Sequence, residues 1–337
     1  MTEFISTCSM PLAIVFLIAG FFFLVKGADV FVEGSSSIAK RFHVPAIIIG
    51  LHVPSIIIGL TIVAMGTSLP ETAVSVVAAI QHKNTLAISN VVGSNIFNMM
   101  VVIGFCAIMT PVAVQKATLK RDFPYSVFAA LLLMILGGVG MKLGRFDSAV
   151  FLVFFAIFIG TMIRMALKAG KEGGQLQSEE IEAAEAQKVM SMPKSLLFLV
   201  VGVAGIVIGG DVVVDSASNI ALKIGMSQTL VGLTIVSIGT SLPELVTSVV
   251  AARKNEVDMA LGNAIGSNIF NILFVLGLAG VISPMPFLME NIIDIMILIV
   301  LSLLIWGFAW TKEKISRKEG IVMLVLYVVY VIYICMR

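Results

Sequence analysis

Charge is what this chain has least of: only 12% of its 337 residues are Asp, Glu, Lys or Arg, against roughly 25% in a soluble domain. With 59% apolar residues and a mean hydropathy of +1.07, there are too few polar groups to cover a water-facing surface, so the lipid bilayer is the expected solvent. The net charge of +2 is too small and scattered to suggest nucleic acid. Cysteine is rare, and Cys8, Cys106 and Cys335 form no metal or redox spacing. Histidine is as scarce: His43, His52 and His82 sit near the ends of apolar runs and read as interfacial. No Ser/His, paired-Asp or His-rich constellation is present, so neither an enzyme nor a cofactor is expected. The first apolar run has no basic segment before it and continues to Lys26 and Asp29, which argues against a cleaved signal.

What is present is a series of apolar runs. A spanning helix needs about 20 apolar residues, and runs of that size fall at 11–34, 53–80, 85–110, 124–141, 147–168, 194–220, 227–252, 258–283, 287–310 and 319–336. The expected fold is therefore an all-α polytopic membrane protein with ten transmembrane helices, most simply a monomer. With the N-terminus outside, sixteen Lys and Arg fall in inside segments and five outside, with Lys26 within a span. Excess positive charge marks the cytoplasmic side, so both termini are expected outside a cell (plasma or inner) membrane. The one long hydrophilic stretch, 170–193, then lies inside. Its Glu179, Glu180, Glu182 and Glu185 read as a solvated linker rather than a cation site.

The sequence contains itself twice. Residues 59–104 align without a gap with 232–277 at an offset of 173, identical at 26 of 46 positions. Upstream, KGADVFVEGSSSIAKRF (26–42) echoes IGGDVVVDSASNIALKI (208–224) at an offset of 182. Each half holds five spans, 1–169 and 194–337, and five is odd, so the second half is expected to enter the membrane inverted. Inverted repeats with interrupted helices place transporter sites near the midplane. The nine-residue difference between offsets is the tandem pair HVPAIIIGL (43–51) and HVPSIIIGL (52–60), present in the first half only. Nine helical residues would add about 13.5 Å, so the extra copy is best placed in the inside loop or at the inner end of the second span.

Carboxylates deep in a bilayer are costly and usually functional. Glu71 and Glu244 occupy matching repeat positions, each preceded by Pro70 or Pro243. Proline lacks the N–H that would occupy the carbonyl of Gly66 or Gly239. Thr67 and Ser68, four and three residues before Glu71, share its helical face, as Thr240 and Ser241 share that of Glu244. The second repeated segment, GSNIFN, adds Ser94 with Asn98 and Ser267 with Asn271 at i, i+4. Ser89 with Gly93, and Gly262 with Gly266, permit close helix approach. A single Ser or Thr in a spanning helix ordinarily bonds its own backbone, and a single Asn often joins helices. Repetition of the whole set in both halves favours a site. Such a site is all-oxygen and suits a hard cation, with Ca²⁺ taking roughly 6–8 oxygens. Asp29 with Glu33, and Asp211 with Asp215, lie toward span ends and are left outside it.

At GTSLPE and GSNIFN, both present twice, the chain resembles the cation/calcium antiporter superfamily, specifically its prokaryotic sodium/calcium exchanger-like branch, and the resemblance covers nearly the whole chain. It implies a secondary transporter exchanging several Na⁺ for one Ca²⁺, with the first and sixth helices sliding across a fixed core. It further implies that Glu71 and Glu244 are shared ligands, that Thr67, Ser68, Thr240, Ser241, Ser94 and Ser267 line the ion sites, that Ala64 and Ser237 offer backbone carbonyls, and that Asn98 and Asn271 close the centre. Asn271 stands where some exchangers carry Asp, which argues against the potassium-dependent type. Ser237, Ser89 and the duplication at 43–60 also depart from the pattern. A proton/calcium antiporter would use the same glutamates, and a passive cation channel is the reading from another class.

Overall fold

Backbone amides in lipid must find partners within their own segment, and the computed structural model is correspondingly almost all helix. It describes residues 2–41, 57–80, 85–173, 190–225 and 237–336. A short helix α1 (Thr2–Thr7) precedes α2 (Met10–Arg41). Next come α3 (Gly59–Thr67) and α4 (Leu69–Ile80), a pair bent by 54°. The chain continues through α5 (Thr85 to Met109), α6 (Thr118–Met141), α7 (Arg145–Gly173) and α8 (Met192–Lys223). Beyond these lie α9 (Ser237–Gly239), α10 (Leu242–Arg253), α11 (Val257–Ile282), α12 (Met289–Lys312) and α13 (Arg317–Met336).

Among the described residues, eight helices are long and apolar enough to cross a membrane, and the bent α3–α4 pair makes nine if counted as one span. The expected span at 227–252 is described only from Ser237 onward. The first copy of the tandem duplication, the three histidines and the acidic part of the link also fall outside the described residues. Helix α7 runs on to Gly173, past the expected end of its span at 168. The span expected at 53–80 contains two described helices bent at Ser68, where Pro70 lacks the N–H that would bond the Gly66 carbonyl.

Two short antiparallel ribbons tie the loops together. Strand β1 (Val112–Ala113) pairs with β4 (Lys314–Ile315), and β2 (Lys142–Leu143) with β3 (Met285–Pro286). Both residues that turn the chain into β2 and β4, Met141 and Glu313, have φ of 50°.

The helices α2 and α8 run antiparallel along a glycine seam. Gly20, Gly27 and Gly34 recur every seven residues on one and meet Val213, Ile206 and Phe198 of the other. A Cβ at Gly27 would lie 2.6 Å from the Ile206 nitrogen, and one at Gly202 would lie 2.6 Å from Phe31 Cβ. Backbones this close gain dispersion that larger side chains would forfeit. At the outer end expected from the charge pattern, Asn219 donates to the carbonyls of Ile5 (2.6 Å) and Cys8 (3.1 Å). At the other end Ser195 donates to Ser37 (3.2 Å), as does the Met190 amide (2.9 Å).

The centre is made by α3, α4, α5, α10 and α11, and 78% of both α5 and α11 is buried inside the protein. Helices α3 and α11 cross at contact distance. A Cβ at Gly59 would stand 2.5 Å from the Met259 carbonyl oxygen, and one at Gly266 would stand 2.7 Å from Leu60 Cα. Both sides of that crossing need glycine.

Candidate ion-binding site

Glu71 begins α4 and Glu244 begins α10, each one residue after a proline at a break in the chain's helical path. Both are fully buried. The Glu71 Oε1 accepts from Ser241 (3.3 Å) and Ser94 (3.4 Å). The Glu244 Oε1 accepts from Ser68 (2.9 Å) and Ser267 (3.4 Å). Each carboxylate also stands within the field of the other. Each acid is therefore held by two hydroxyls, one from its own half and one from the other.

One expectation is corrected. Helical spacing puts Ser68 on the face of Glu71 and Ser241 on that of Glu244, yet each serine donates to the acid of the other half. Ser68 and Ser241 still cap the helices that carry these acids, their carbonyls taking the Thr72 and Leu245 amides at 3.1 and 3.2 Å, so the crossing of the two segments, and not helical spacing, sets which acid each hydroxyl serves. Thr67 likewise points across the centre, its Oγ1 lying 3.1 Å from Asn263 Oδ1 and 3.5 Å from Ser267 Oγ. Thr240 donates to Asn90 Oδ1 at 3.4 Å.

The amides at the centre link α5 to α11. Asn95 Nδ2 donates to the Asn268 carbonyl, and Asn268 Nδ2 to the Asn95 carbonyl, both at 3.1 Å. Asn271 Nδ2 donates to Asn95 Oδ1 at 3.1 Å. Asn98 and Asn271 each open a π-helical turn, Asn98–Val102 and Asn271–Leu276. Such bulges recur at functional sites because the extra residue re-aims its neighbours. Five buried oxygens here take no hydrogen bond, Glu71 Oε2, Glu244 Oε2, Asn98 Oδ1, Asn268 Oδ1 and Asn271 Oδ1, and neither does Asn98 Nδ2. An unmatched buried carboxylate oxygen is expensive, and a dehydrated cation bound to such oxygens would remove the penalty.

All twelve residues named from the sequence belong to these segments. The Ala64 carbonyl accepts from the Ser68 amide at 3.0 Å and lies 3.4 Å from Thr67 Oγ1. Ser237 starts α9, and only its backbone is described. Of the acids left outside, Asp29 pairs with Lys254 at 2.5 Å, Glu33 and Asp211 are exposed, and Asp215 is half-buried with its Oδ2 unmatched. Sequence reading missed Asn95 with Asn268, Asn90 with Asn263 and Ser75 with Ser248. All six are identical across the offset of 173, and that was the available signal.

The bonds repeat as the sequence does. Adding 173 to Ser94–Glu71 gives Ser267–Glu244, and Ser68–Glu244 answers Ser241–Glu71. Sequence comparison agrees with this architecture: the family model described as "Sodium/calcium exchanger protein" matches residues 12–164 and 194–336. The chain belongs to the sodium/calcium exchanger family. It is a membrane transporter of the antiporter type and not an enzyme. This family member is 38% identical over 329 residues to the putative antiporter CaxA of Alkalimonas amylolytica, covering 95% of this chain and 97% of that one. It is 33% identical to the sodium/calcium exchanger MaX1 of Methanosarcina acetivorans, covering 93% and 95%. Among solved structures it is similar to the sodium-calcium exchanger NCX_Mj, at 31% identity and a TM-score of 0.78 over 97% of this chain and 100% of that one. The Inner membrane protein YrbG of Escherichia coli is 34% identical, over 88% of this chain and 90% of its own length.

Proposed function

We propose that this family member exchanges Na⁺ for Ca²⁺ by alternating access at the midplane site around Glu71 and Glu244. The supporting observation is the set of five unmatched oxygens, on two acids and three amides, lying with hydroxyls and, among the described residues, with no His or Cys beside them. Oxygen-only donors suit hard cations, and two carboxylates balance one Ca²⁺ or two Na⁺. Thr67, Ser68, Ser94, Asn98 and the Ala64 carbonyl would serve with Glu71. Thr240, Ser241, Ser267, Asn271 and the Ser237 carbonyl would serve with Glu244. Without a cation, two ionised carboxylates this close repel in a dry interior, which disfavours passage of the empty site and couples the two ion fluxes. Protons compete for the same oxygens.

The proposed frame is ten spans in two inverted five-helix repeats, 1–169 and 194–337, joined by a cytoplasmic link at 170–193. Parity supports it. Strands β2 and β3 pair, so their loops share a membrane face, and an even number of crossings must separate them. The spans α7, α8 and α11 make three, so the segment ending in α9–α10 supplies the fourth. The pairing of β1 with β4 demands the same. The two blocks matched by the family model also fall on either side of the link. Combined with the loop charges, this supports an orientation with both termini outside. Membrane-impermeant maleimide should therefore label Cys335, which is exposed, in intact cells. Labelling only after lysis would reverse the orientation.

The deciding measurement of coupling is ⁴⁵Ca²⁺ uptake into vesicles under imposed gradients. Uptake should follow an outward Na⁺ gradient and should not follow K⁺ or H⁺ gradients. Uptake driven by a pH gradient without Na⁺ would make the protein a proton/calcium antiporter, and conductance without any counter-ion requirement would make it a channel.

A further inference from the structure

A hydroxyl that coordinates a cation must turn its lone pairs toward the ion and its single proton away. At Thr67 several acceptors compete for that proton: the Val63 carbonyl at 3.1 Å, the Ala64 carbonyl at 3.4 Å, Asn263 Oδ1 at 3.1 Å, Ser267 Oγ at 3.5 Å and the Glu244 carboxylate, which a bound cation would occupy. The outcome is fixed further along the chain of bonds. Ser248 Oγ donates to the Ala260 carbonyl at 3.4 Å, and a carbonyl only accepts. The Ser248 oxygen is then left to accept from Asn263 Nδ2 at 2.9 Å, and the same amide nitrogen donates to the Glu244 carbonyl at 3.3 Å. With its nitrogen facing two acceptors, Asn263 must present Oδ1 to Thr67. Asn263, Ser248 and Thr67 are all fully buried, so no solvent can reorient them, and an unmatched Oδ1 would carry the full desolvation cost.

We propose that Asn263 is a positioning residue that draws the Thr67 proton across the repeat boundary and so aims the Thr67 lone pairs at the transported cation. The claim rests on the ion site proposed above. The same arrangement recurs in the other half, where Thr240 donates to Asn90 Oδ1 (3.4 Å) and Asn90 Nδ2 meets Ser75 Oγ (3.5 Å). There the bonds are longer and Thr240 and Asn90 are partly exposed, so the Asn263 relay is the tighter of the two. It also couples the halves, because Thr67 rides on α3 while Asn263 and its supports lie on α10 and α11. Without Asn263, the Thr67 proton returns to the Val63 carbonyl in the ordinary i−4 manner, and the lone pairs rotate away from the ion.

The test is a set of mutant cycles on the purified full-length protein, read as the Kd for Ca²⁺ by equilibrium dialysis with ⁴⁵Ca²⁺. Asn263→Ala should weaken binding about tenfold, the worth of one good hydrogen bond. The same loss should appear on a Thr67→Ser background, which keeps the hydroxyl, and should vanish on Thr67→Val, which has none to orient. Ser248→Ala, one bond further out and gentler on folding, should give a smaller loss with the same dependence on the Thr67 hydroxyl. Penalties that persist undiminished on Thr67→Val, or an unchanged Kd in both Asn263→Ala and Ser248→Ala, would overturn the proposal. Failure of the ion site itself has a different signature: Glu244→Gln would then still bind Ca²⁺.

Discussion

Glu71→Gln and Glu244→Gln should each abolish sodium-driven Ca²⁺ flux while leaving a folded protein. Glutamine matches glutamate in size and keeps an oxygen for the serine hydroxyls that hold Oε1, Ser94 and Ser241 in one case and Ser68 and Ser267 in the other. What it removes is half of the negative charge facing the cation. Losing one partner of a buried charge pair costs on the order of 3–5 kcal/mol, more than a hundredfold in Ca²⁺ affinity. The two variants should fail alike, because each acid is held from both halves. The checks are ⁴⁵Ca²⁺ flux and binding, with elution as a single sharp size-exclusion peak to establish folding. Full transport by either variant refutes its assignment as an ion ligand.

Gly266→Val should be nearly as damaging although Gly266 is not itself a proposed ligand. Its Cβ would stand 2.7 Å from both Leu60 Cα and the Leu60 carbonyl oxygen, and 2.9 Å from Ala64 Cβ. The two main-chain atoms cannot rotate aside, so α3 must move off α11. Thr67, three residues beyond Ala64, moves with it and leaves Asn263 and Ser267. Overpacking costs about 1–3 kcal/mol in stability, but the loss in Ca²⁺ binding should exceed the loss in stability, since the site depends on sub-ångström placement. Gly160→Ala and Gly307→Ala, where a Cβ meets nothing within 4 Å, should bind Ca²⁺ normally. Normal binding by Gly266→Val would mean that the α3–α11 crossing does not set the site.

Much of this was legible beforehand because lipid simplifies the code. Every spanning segment must be a helix of similar length, so apolar runs located the helices to within a few residues, as for Met192–Lys223 against an expected 194–220. The doubled GTSLPE and GSNIFN segments marked Glu71, Glu244 and their hydroxyls because buried polar residues are too costly to recur without use. Asn90, Asn263, Ser75 and Ser248 were overlooked although identical across the repeat. Each is ordinary for a membrane helix taken singly, and their function depends on the partner each one meets.

The sequence by itself determined that the chain lies in lipid, that its two halves match, and which buried oxygens are available for a cation. Those are matters of composition and one-dimensional spacing. Only the tertiary structure decided which half serves which acid. Helical periodicity relates residues within one segment and is blind to what another segment brings against it, and the crossing of α3–α4 with α9–α10 hands each serine to the opposite glutamate.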